Sequence, residues 1–338
     1  MTTSGPADAN VLYQGDNARA IAALPAKSLA LCYLDPPFFT GRERTGQELH
    51  LGTGGRLRCD ERSGRSFTWT DDAWEGDTER YLVWLGERLE GIRGLLSRTG
   101  SLLVHLDWRM CHEVKVLLDR LFGRKRLVNE IIWHYSSGSG RTKRCLARKH
   151  DTILWYAKTK HYTCNLDATA QPRNLCRLCG TDGGRKNHMR RELDQDGRLV
   201  RTIRSGGRIY RYYDDDPAPA SDVWLDISHI QQRSPERTGY PTQKPLALLE
   251  RLVLLCSNPG DVVADFFMGS GTSLVAAALH GRSWLGCDVS PEAVALTAER
   301  LRSTIFGGSG GTVRVVTPAG GEATPSQDTP RIEGREAR

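Results

Sequence analysis

Short apolar runs alternate with amphipathic segments along most of the chain. The runs that predict buried strands cover residues 11–14, 29–34, 101–106, 129–135, 151–157, 262–265 and 283–288. Apolar residues at helical spacing predict helices at 18–24, 78–97, 111–122, 274–279 and 291–301. Strands that alternate with helices in this way predict an α/β fold with a doubly wound, largely parallel sheet.

The second of these strands ends in a chemically distinctive sequence, Asp35-Pro36-Pro37-Phe38. Two prolines cannot continue a sheet ladder, and their backbone offers carbonyl acceptors without N–H donors. The carboxylate, the carbonyls and the aromatic ring together suit a planar heterocycle that bears an amino group. A plain Asp-Pro-Pro turn that closes the strand is the alternative interpretation.

A second strand-to-loop element runs from Val262 to Thr272, and an apolar helix follows it. Its glycines allow a ligand to approach the backbone, and a helix N-terminus favours an anionic group. Asp288 ends the next strand, where an acid is placed to bind ribose hydroxyls. This pattern favours an adenosine-containing cofactor. A dehydrogenase fingerprint would require a third glycine where Leu274 stands, which disfavours an NAD-linked oxidoreductase.

Asp16 follows the first strand and precedes the first helix. A carboxylate at the carboxyl end of a parallel strand lies where ligands bind in doubly wound folds. A helix N-cap is the equally weighted alternative for this side chain.

Composition narrows the class of protein. The 338 residues are 39% hydrophobic and 26% charged, as in globular domains, and no apolar run has the length of a membrane span. Nine cysteines at scattered spacings predict reduced thiols and a cytoplasmic location. Cys164, Cys176 and Cys179, with Cys145 or His188, suggest a zinc site only weakly, because a single C-x-x-C is present.

The net charge of +7 and the pI near 9.0 permit a nucleic-acid partner. Basic residues concentrate in a Gly- and Arg-rich stretch at 39–72, which we expect to be a flap over the site, and at 141–160 and 185–211, each with a net charge of +6. Residues 161–235, which include the last region, carry turn signals at 196–197 and 205–207 and predict a small β meander. Solvated loops and a solvated sheet face are the alternatives. The residues predicted to contact DNA are Arg42, Arg44, Arg141, Lys143, Arg144, Arg185, Arg190, Arg204, Arg208 and Tyr210.

Three motifs in this order, Asp35–Phe38, Thr242-Gln243-Lys244-Pro245 and Asp265–Thr272, make the chain resemble the β class of bacterial DNA amino-methyltransferases. The resemblance covers roughly residues 10–302. It implies a Rossmann-like class I methyltransferase sheet, circularly permuted so that the catalytic motif precedes the cofactor motif. It also implies a small β-rich insert that recognises the target sequence.

The resemblance implies S-adenosylmethionine as the methyl donor and double-stranded DNA as the substrate. The base would be flipped out of the duplex and held by Asp35, Pro36, Pro37 and Phe38. The implied cofactor-binding residues are Asp16, Asp35, Thr242, Lys244, Asp265, Phe266, Phe267, Gly269, Ser270, Gly271, Thr272 and Asp288.

The domain boundaries that follow are a catalytic half at 10–160, a target recognition region at 161–235, a cofactor-binding half at 236–306 and a disordered tail at 307–338. N6 of adenine is slightly favoured over N4 of cytosine as the methylated atom. Methylation of RNA or of a protein amide and a non-catalytic DNA-binding role are the rival hypotheses. A cognate restriction endonuclease and a second copy of the chain are further candidate partners, and no membrane association is expected.

Overall fold

The computed structural model describes residues 9–38, 43–47, 49–52, 56–59, 66–70, 77–135, 144–172, 190–213, 216–218, 220–307 and 312–317. Its α-helices are α1 (Asn17–Ala23), α2 (Thr78–Leu95), α3 (Cys111–Phe122), α4 (Leu246–Cys256), α5 (Thr272–Leu279) and α6 (Pro291–Phe306). Its strands are β1 (Val11–Gln14), β2 (Leu29–Leu34), β3 (Glu43–Gln47), β4 (Leu49–Gly52), β5 (Arg56–Cys59), β6 (Ser66–Thr70), β7 (Leu96–Leu106), β8 (Leu127–His134), β9 (His150–Ala157), β10 (Gln171–Pro172), β11 (Arg190–Leu193), β12 (Leu199–Ser205), β13 (Arg208–Tyr213), β14 (Pro217–Ala218), β15 (Val223–Trp224), β16 (Val262–Asp265), β17 (Ser283–Asp288) and β18 (Arg314–Val316).

A central sheet organises the described residues, with the strand order β15-β8-β9-β7-β2-β16-β17-β1-β18. Every neighbouring pair is parallel except those that β9 forms with β7 and β8. Helices α1, α2 and α3 cover one face through one hydrophobic cluster, and α4, α5 and α6 cover the other face through a second cluster. The predicted doubly wound α/β fold is therefore confirmed.

The order of the strands in the sheet shows the predicted circular permutation. The N-terminal strand β1 lies between β17 and β18, which come from the other end of the chain. Strand β2, which carries the Asp35 motif, adds directly to β16, which carries the glycine loop. Two segments far apart in sequence thus leave the sheet side by side.

Most predicted elements agree with the structure to within a few residues. One exception is the junction of α2 and β7, where the helix ends at Leu95 and the strand begins at Leu96 without a turn between them. The prediction of a helix to residue 97 and a strand only from 101 was wrong there, because the apolar periodicity of the helix continues into the buried strand. The last helix continues to Phe306, where Gly307 adopts a positive φ of 59° and ends it.

The stretch at 39–72 differs from its prediction. Four short strands form there in two antiparallel pairs, β3 with β6 and β4 with β5. The prediction of a loop was wrong for these segments, because glycine and arginine obscure a two-residue alternation that the backbone nevertheless follows. Whether this stretch acts as a flap stays a prediction.

The predicted meander is present as β11, β12 and β13, joined by turns that contain Gly197 and Gly206-Gly207 with positive φ. A short strand, β18, lies in the C-terminal tail, and the part of the tail beyond residue 317 lies outside the described residues. The four domain boundaries stay predictions. In the described part of the chain, no helix combines the length and the apolar character needed to cross a bilayer.

Candidate active site

A cavity of about 640 Å³ opens where β2 and β16 end. The two strands are parallel neighbours with Asp265 level with Tyr33, so both chains leave the sheet at its carboxyl edge. Predicted site residues line this cavity from both sides, namely Asp16, Asp35, Pro36, Pro37, Phe38, Thr242, Lys244, Asp265, Phe266, Phe267, Gly269, Ser270, Thr272 and Asp288. Of the residues predicted to bind the cofactor, Gly271 alone is not part of the wall.

On the β2 side, Asp35 forms an ion pair with the ammonium group of Lys244 through Oδ2. The two side chains are only 14% and 11% exposed, so little water screens the pair. The other oxygen, Oδ1, is buried and has no hydrogen-bond donor among the described residues. Lys244 Nζ also lies 5.0 Å from the centroid of the Phe38 ring. The motif therefore presents an unused carboxylate acceptor beside a flat aromatic surface.

On the β16 side, the loop after Asp265 turns sharply back into α5. Gly269 and Gly271 adopt positive φ of 48° and 69°, and Gly271 is the N-cap of α5. A Cβ on Gly269 would lie 2.9 Å from Tyr240 Cε1, and one on Gly271 would lie 2.3 Å from Thr297 Cγ2. Both positions therefore require glycine, for space as well as for backbone conformation.

Four further hydrogen bonds hold this loop in place. The amide of Gly269 donates to Asp288 Oδ2 at 2.9 Å, and Thr297 Oγ1 donates to the Gly269 carbonyl at 3.1 Å. Arg300 donates to the Ser270 carbonyl and to Thr272 Oγ1. Burial lowers the pKa of Arg300 to about 10, against the opposing charge of Glu236. The loop is thus rigid before any ligand arrives.

The carboxylate of Asp265 is buried beneath the loop. It accepts hydrogen bonds from the Phe267 amide and the Ser273 hydroxyl. The pKa of Asp265 is raised to about 7, chiefly by burial and also by the negative charges of Asp35 and Asp288, while the two hydrogen bonds act to lower it. Asp265 thus organises the turn from within.

Asp16 is the N-cap of α1 and also lines the cavity, while its role in ligand binding stays a prediction. Its Oδ1 accepts from the amide of Ala18 at 2.8 Å and caps α1, and the residue also lines the cavity. Arg88 reaches across from α2 to Asp16 Oδ1 at 3.2 Å and to Asn17 Oδ1 at 2.7 Å, while its guanidinium stacks on Trp84. Arg88 therefore fixes this end of the cavity.

Side-chain hydrogen bonds within residues 236–246 hold the segment around Lys244 in a closed loop. Gln243 Oε1 accepts from both the amide and the hydroxyl of Thr238 at 2.7 Å, and its Nε2 donates to the Glu236 carbonyl at 2.8 Å. The carboxylate of Glu236 in turn accepts from the amide of Leu246 at the start of α4. This closed loop holds Tyr240 against Gly269 and Lys244 against Asp35.

A buried polar chain extends from the cavity wall into the sheet. Tyr33 Oη lies 2.9 Å from His105 Nδ1, His105 Nε2 lies 3.1 Å from Asp151 Oδ2, and Tyr135 donates to Asp151 Oδ1 at 2.9 Å. Burial raises the pKa of Tyr33 well above its ordinary value, and the charge of Asp35 adds to it. Burial also acts to raise the pKa of Asp151, but the contacts with His105 and the charge of Lys244 hold it below the ordinary value.

Several wall residues were not found by sequence reasoning: Gly15, Asn17, Tyr33, Trp84, Arg88, Tyr240, Pro241, Leu249, Met268, Ser273, Val289, Ser290 and Glu292. Tyr33 could have been found, because it precedes Asp35 by two residues and shares its strand face. Trp84 and Arg88 had no such signal, since their helix carries the pattern of ordinary core packing.

The structure describes the backbone of six of the ten residues predicted to contact DNA. Arg144, Arg204, Arg208 and Tyr210 are exposed. Arg44 and Arg190 lie on β3 and β11, while Arg42, Arg141, Lys143 and Arg185 lie outside the described residues. Contact of all ten with DNA stays a prediction.

The zinc hypothesis is likewise untested. Cys145 and Cys164 are exposed, and Cys176, Cys179 and His188 lie outside the described residues. No group of three or more metal-binding side chains occurs in the described ranges.

Comparison with known proteins gives the family. The profile of the family described as DNA methylase, which comprises N6 and N4 methyltransferases, matches residues 29–299. Type II methyltransferase M.HpaI of Haemophilus parainfluenzae is 30% identical over 290 residues, which cover 86% of this chain and 73% of that protein. M.EcaI of Enterobacter cloacae is 29% identical over 320 residues, with 83% and 67% covered.

Solved structures show the same fold. PvuII DNA methyltransferase, specific for cytosine N4, superposes with a TM-score of 0.55 at 18% identity and covers 88% of this chain and 87% of its own. A protein from Thermus thermophilus, solved in complex with S-adenosyl-L-methionine, gives 0.54 at 20% identity, with 91% and 98% covered. The fold and the site define a Rossmann-like methyltransferase. The chain belongs to the DNA methylase family, whose members methylate N6 of adenine or N4 of cytosine.

Proposed function

We propose that this protein transfers the methyl group of S-adenosylmethionine to N6 of adenine in double-stranded DNA, at a base flipped into the cavity beside Asp35. The observation that carries the proposal is the buried, unpaired Oδ1 of Asp35, one strand away from the glycine loop. A buried acceptor without a donor is costly unless a ligand supplies one.

The residues on the β16 side fit the proposed cofactor. Gly269 and Ser270 line the cavity where the loop turns into α5, which suits the amino-acid end of the cofactor. Asp288 at the end of β17 and Glu292 in the first turn of α6 supply carboxylates for ribose hydroxyls. Asp16, just after the neighbouring strand β1, supplies an acceptor for the amino group of the cofactor's adenine. When bound, the cofactor supplies an electrophilic methyl group on a positively charged sulfur.

The residues on the β2 side fit an amino-bearing base. Asp35 Oδ1 and the Pro36 carbonyl each accept a hydrogen bond from one N–H of the amino group, which turns the nitrogen lone pair towards the β16 side. Phe38 stacks on the ring, and Lys244 keeps the Asp35 carboxylate in place. Catalysis then rests mainly on orientation and on electrostatics fixed before the substrate binds.

Adenine N6 is preferred for two reasons. This chain resembles the β class of DNA amino-methyltransferases. In that class, Asp in the first position of the Asp35 motif is commoner among the enzymes that methylate adenine, and Ser is commoner among those that methylate cytosine. In addition, the DNA adenine methyltransferase YhdJ of Escherichia coli K12 is 25% identical over 295 residues, which cover 87% of this chain. Cytosine N4 is the alternative, because PvuII methyltransferase shares the fold and both bases present an NH2 group beside a ring nitrogen.

The experiment is methyl transfer from labelled S-adenosylmethionine to duplex DNA, RNA and protein in parallel, followed by digestion of the DNA to nucleosides. N6-methyladenine in the DNA arm is the expected result. N4-methylcytosine would establish the alternative, and label confined to RNA or protein would refute a DNA substrate.

The biological setting follows from the same proposal. Type II relatives suggest a cognate restriction endonuclease that cuts the unmethylated site, and a cytoplasmic location where the chromosome is accessible. A homodimer is a further proposal, tested by the mass of the protein in solution with and without DNA.

A further inference from the structure

Trp108 differs from the other tryptophans whose side chains the structure describes. Its side chain is 46% exposed, whereas Trp133, Trp155, Trp224 and Trp284 are at most 3% exposed and Trp84 is half-buried. Exposing a large aromatic ring has a cost, so such a ring on a surface commonly marks a contact site.

The position of Trp108 links it to the active site. It follows the end of β7, the strand next to β2 on the side away from β16. Leu34 of β2 is level with Val104 of β7, so Leu106 is level with Pro36. Trp108 therefore leaves the same edge of the sheet as Asp35 and Phe38, one strand away.

Two cations hold the Trp108 ring. The guanidinium carbon of Arg148 lies 3.8 Å from the ring centroid, and that of Arg109 lies 5.0 Å away. The backbone amide of Arg109 donates to Asp107 Oδ1 at 2.9 Å, and this hydrogen bond anchors Arg109. Such stacking restricts the ring and places positive charge around it.

The loop before β9 brings a second apolar side chain to this edge. Strand β9 is antiparallel to β7, with Thr152 level with Leu106, so the residues before β9 lie beside those after β7. In this loop Leu146 is 90% exposed, and Arg144 and Arg148 flank it. An exposed leucine alone has no special meaning. Here it accompanies an exposed tryptophan and arginines at the sheet edge where the active-site cavity also opens.

We infer that Trp108 and Leu146 form a wedge surface that contacts the base stack of duplex DNA beside the extruded nucleotide, while Arg144 and Arg148 contact the flanking phosphates. The inference rests on the proposed function, since a base must leave the duplex to reach Asp35. Extrusion breaks stacking contacts, and apolar side chains that enter the base stack replace part of what is lost. The surrounding positive charge matches DNA, which favours it over a neutral protein partner.

The test uses duplexes that carry the modified site mapped for the wild-type enzyme. In one duplex the target base is paired, and in the other an abasic site lies opposite it. Single-turnover methylation is measured for Trp108→Ala, Leu146→Ala and Trp108→Phe. Val116→Ala serves as the matched control, because Val116 is 48% exposed on α3. Cofactor affinity is measured for each variant to confirm an intact fold.

Trp108→Ala should lower the rate on the paired duplex by about tenfold or more. The rate on the abasic duplex should stay close to that of the wild type, because extrusion is easier there. Leu146→Ala should show the same selective loss to a smaller degree, and Trp108→Phe and Val116→Ala should not. An unchanged rate on the paired duplex, or equal losses on both duplexes, would overturn the inference. Failure to find any methylated site when the wild-type enzyme is mapped would instead refute the proposed function.

Discussion

The ammonium group of Lys244 lies against Oδ2 of Asp35, although 209 residues separate the two in the chain. Removing one member of a buried ion pair leaves an uncompensated charge, which is worse than removing both. We therefore expect Lys244→Met and Asp35→Asn each to lower the free energy of unfolding, by up to about 3 kcal/mol. The double variant should lose clearly less than the sum of the two.

Urea unfolding followed by circular dichroism provides this double-mutant cycle. Arg302 and Glu299, a pair on α6 with side chains 41% and 23% exposed, supply the control cycle. Additive losses for Asp35 and Lys244 would show that the pair does not stabilise the fold.

The glycine loop allows a test of steric fit. Gly271 and Gly281 both have positive φ, 69° and 72°, but a Cβ at Gly271 would collide with Thr297 whereas a Cβ at Gly281 meets nothing within 4 Å. Gly281→Ala should therefore cost only the backbone strain, about 1–2 kcal/mol. Gly271→Ala should cost clearly more, since the β-branched Thr297 cannot move aside easily. Thermal or urea unfolding measures both, and equal losses would contradict the packing described for this loop.

The buried Asp265 gives a pH dependence with a defined sign. Its pKa in the folded protein is about 7, well above the ordinary value of a carboxyl. Between these two values the folded state binds more protons than the unfolded state, so stability falls as the pH rises. Relative to Asp265→Asn, the wild type should lose up to about 1.4 kcal/mol per pH unit between pH 4 and 7, and nothing more above it. Unfolding free energies across pH 4–9 check this, and a wild type that gains stability relative to Asp265→Asn as the pH rises would contradict it.

Arg88 offers a test of the Asp16 end of the cavity. The guanidinium group of Arg88 donates to Asp16 and Asn17 at the same time, which the single ammonium group of lysine cannot reproduce. Arg88→Lys should therefore weaken the binding of S-adenosylmethionine several-fold. It should have little effect on the ion pair of Asp35 with Lys244 at the β2 side of the cavity. Arg80→Lys, an exposed change on the same helix, is the control. Calorimetric titration measures the affinities, and equal affinities for both variants would exclude a role for Arg88.

Much of this site follows from residues that stand where strands end. Asp16, Asp35, Asp265 and Asp288 all follow or close buried apolar runs, so a parallel sheet had to bring them to one edge. The sequence alone does not determine that β2 adjoins β16, because strand order depends on tertiary packing; the resemblance supplied it. Trp84 and Arg88 could not be predicted, because nothing local distinguishes a cavity-lining helix face from a core face.

The role of Asp35 is tested most directly by the nucleosides of DNA treated with the wild type and with Asp35→Ala, at equal cofactor occupancy. We expect N6-methyladenine from the wild type, and a loss of at least about a hundredfold from the variant, because an oriented acceptor of the amino group has been removed. Asp35→Ala should still bind S-adenosylmethionine. Methylation by the variant at the wild-type rate, or methyl groups on carbon rather than on an amino nitrogen, would contradict the account.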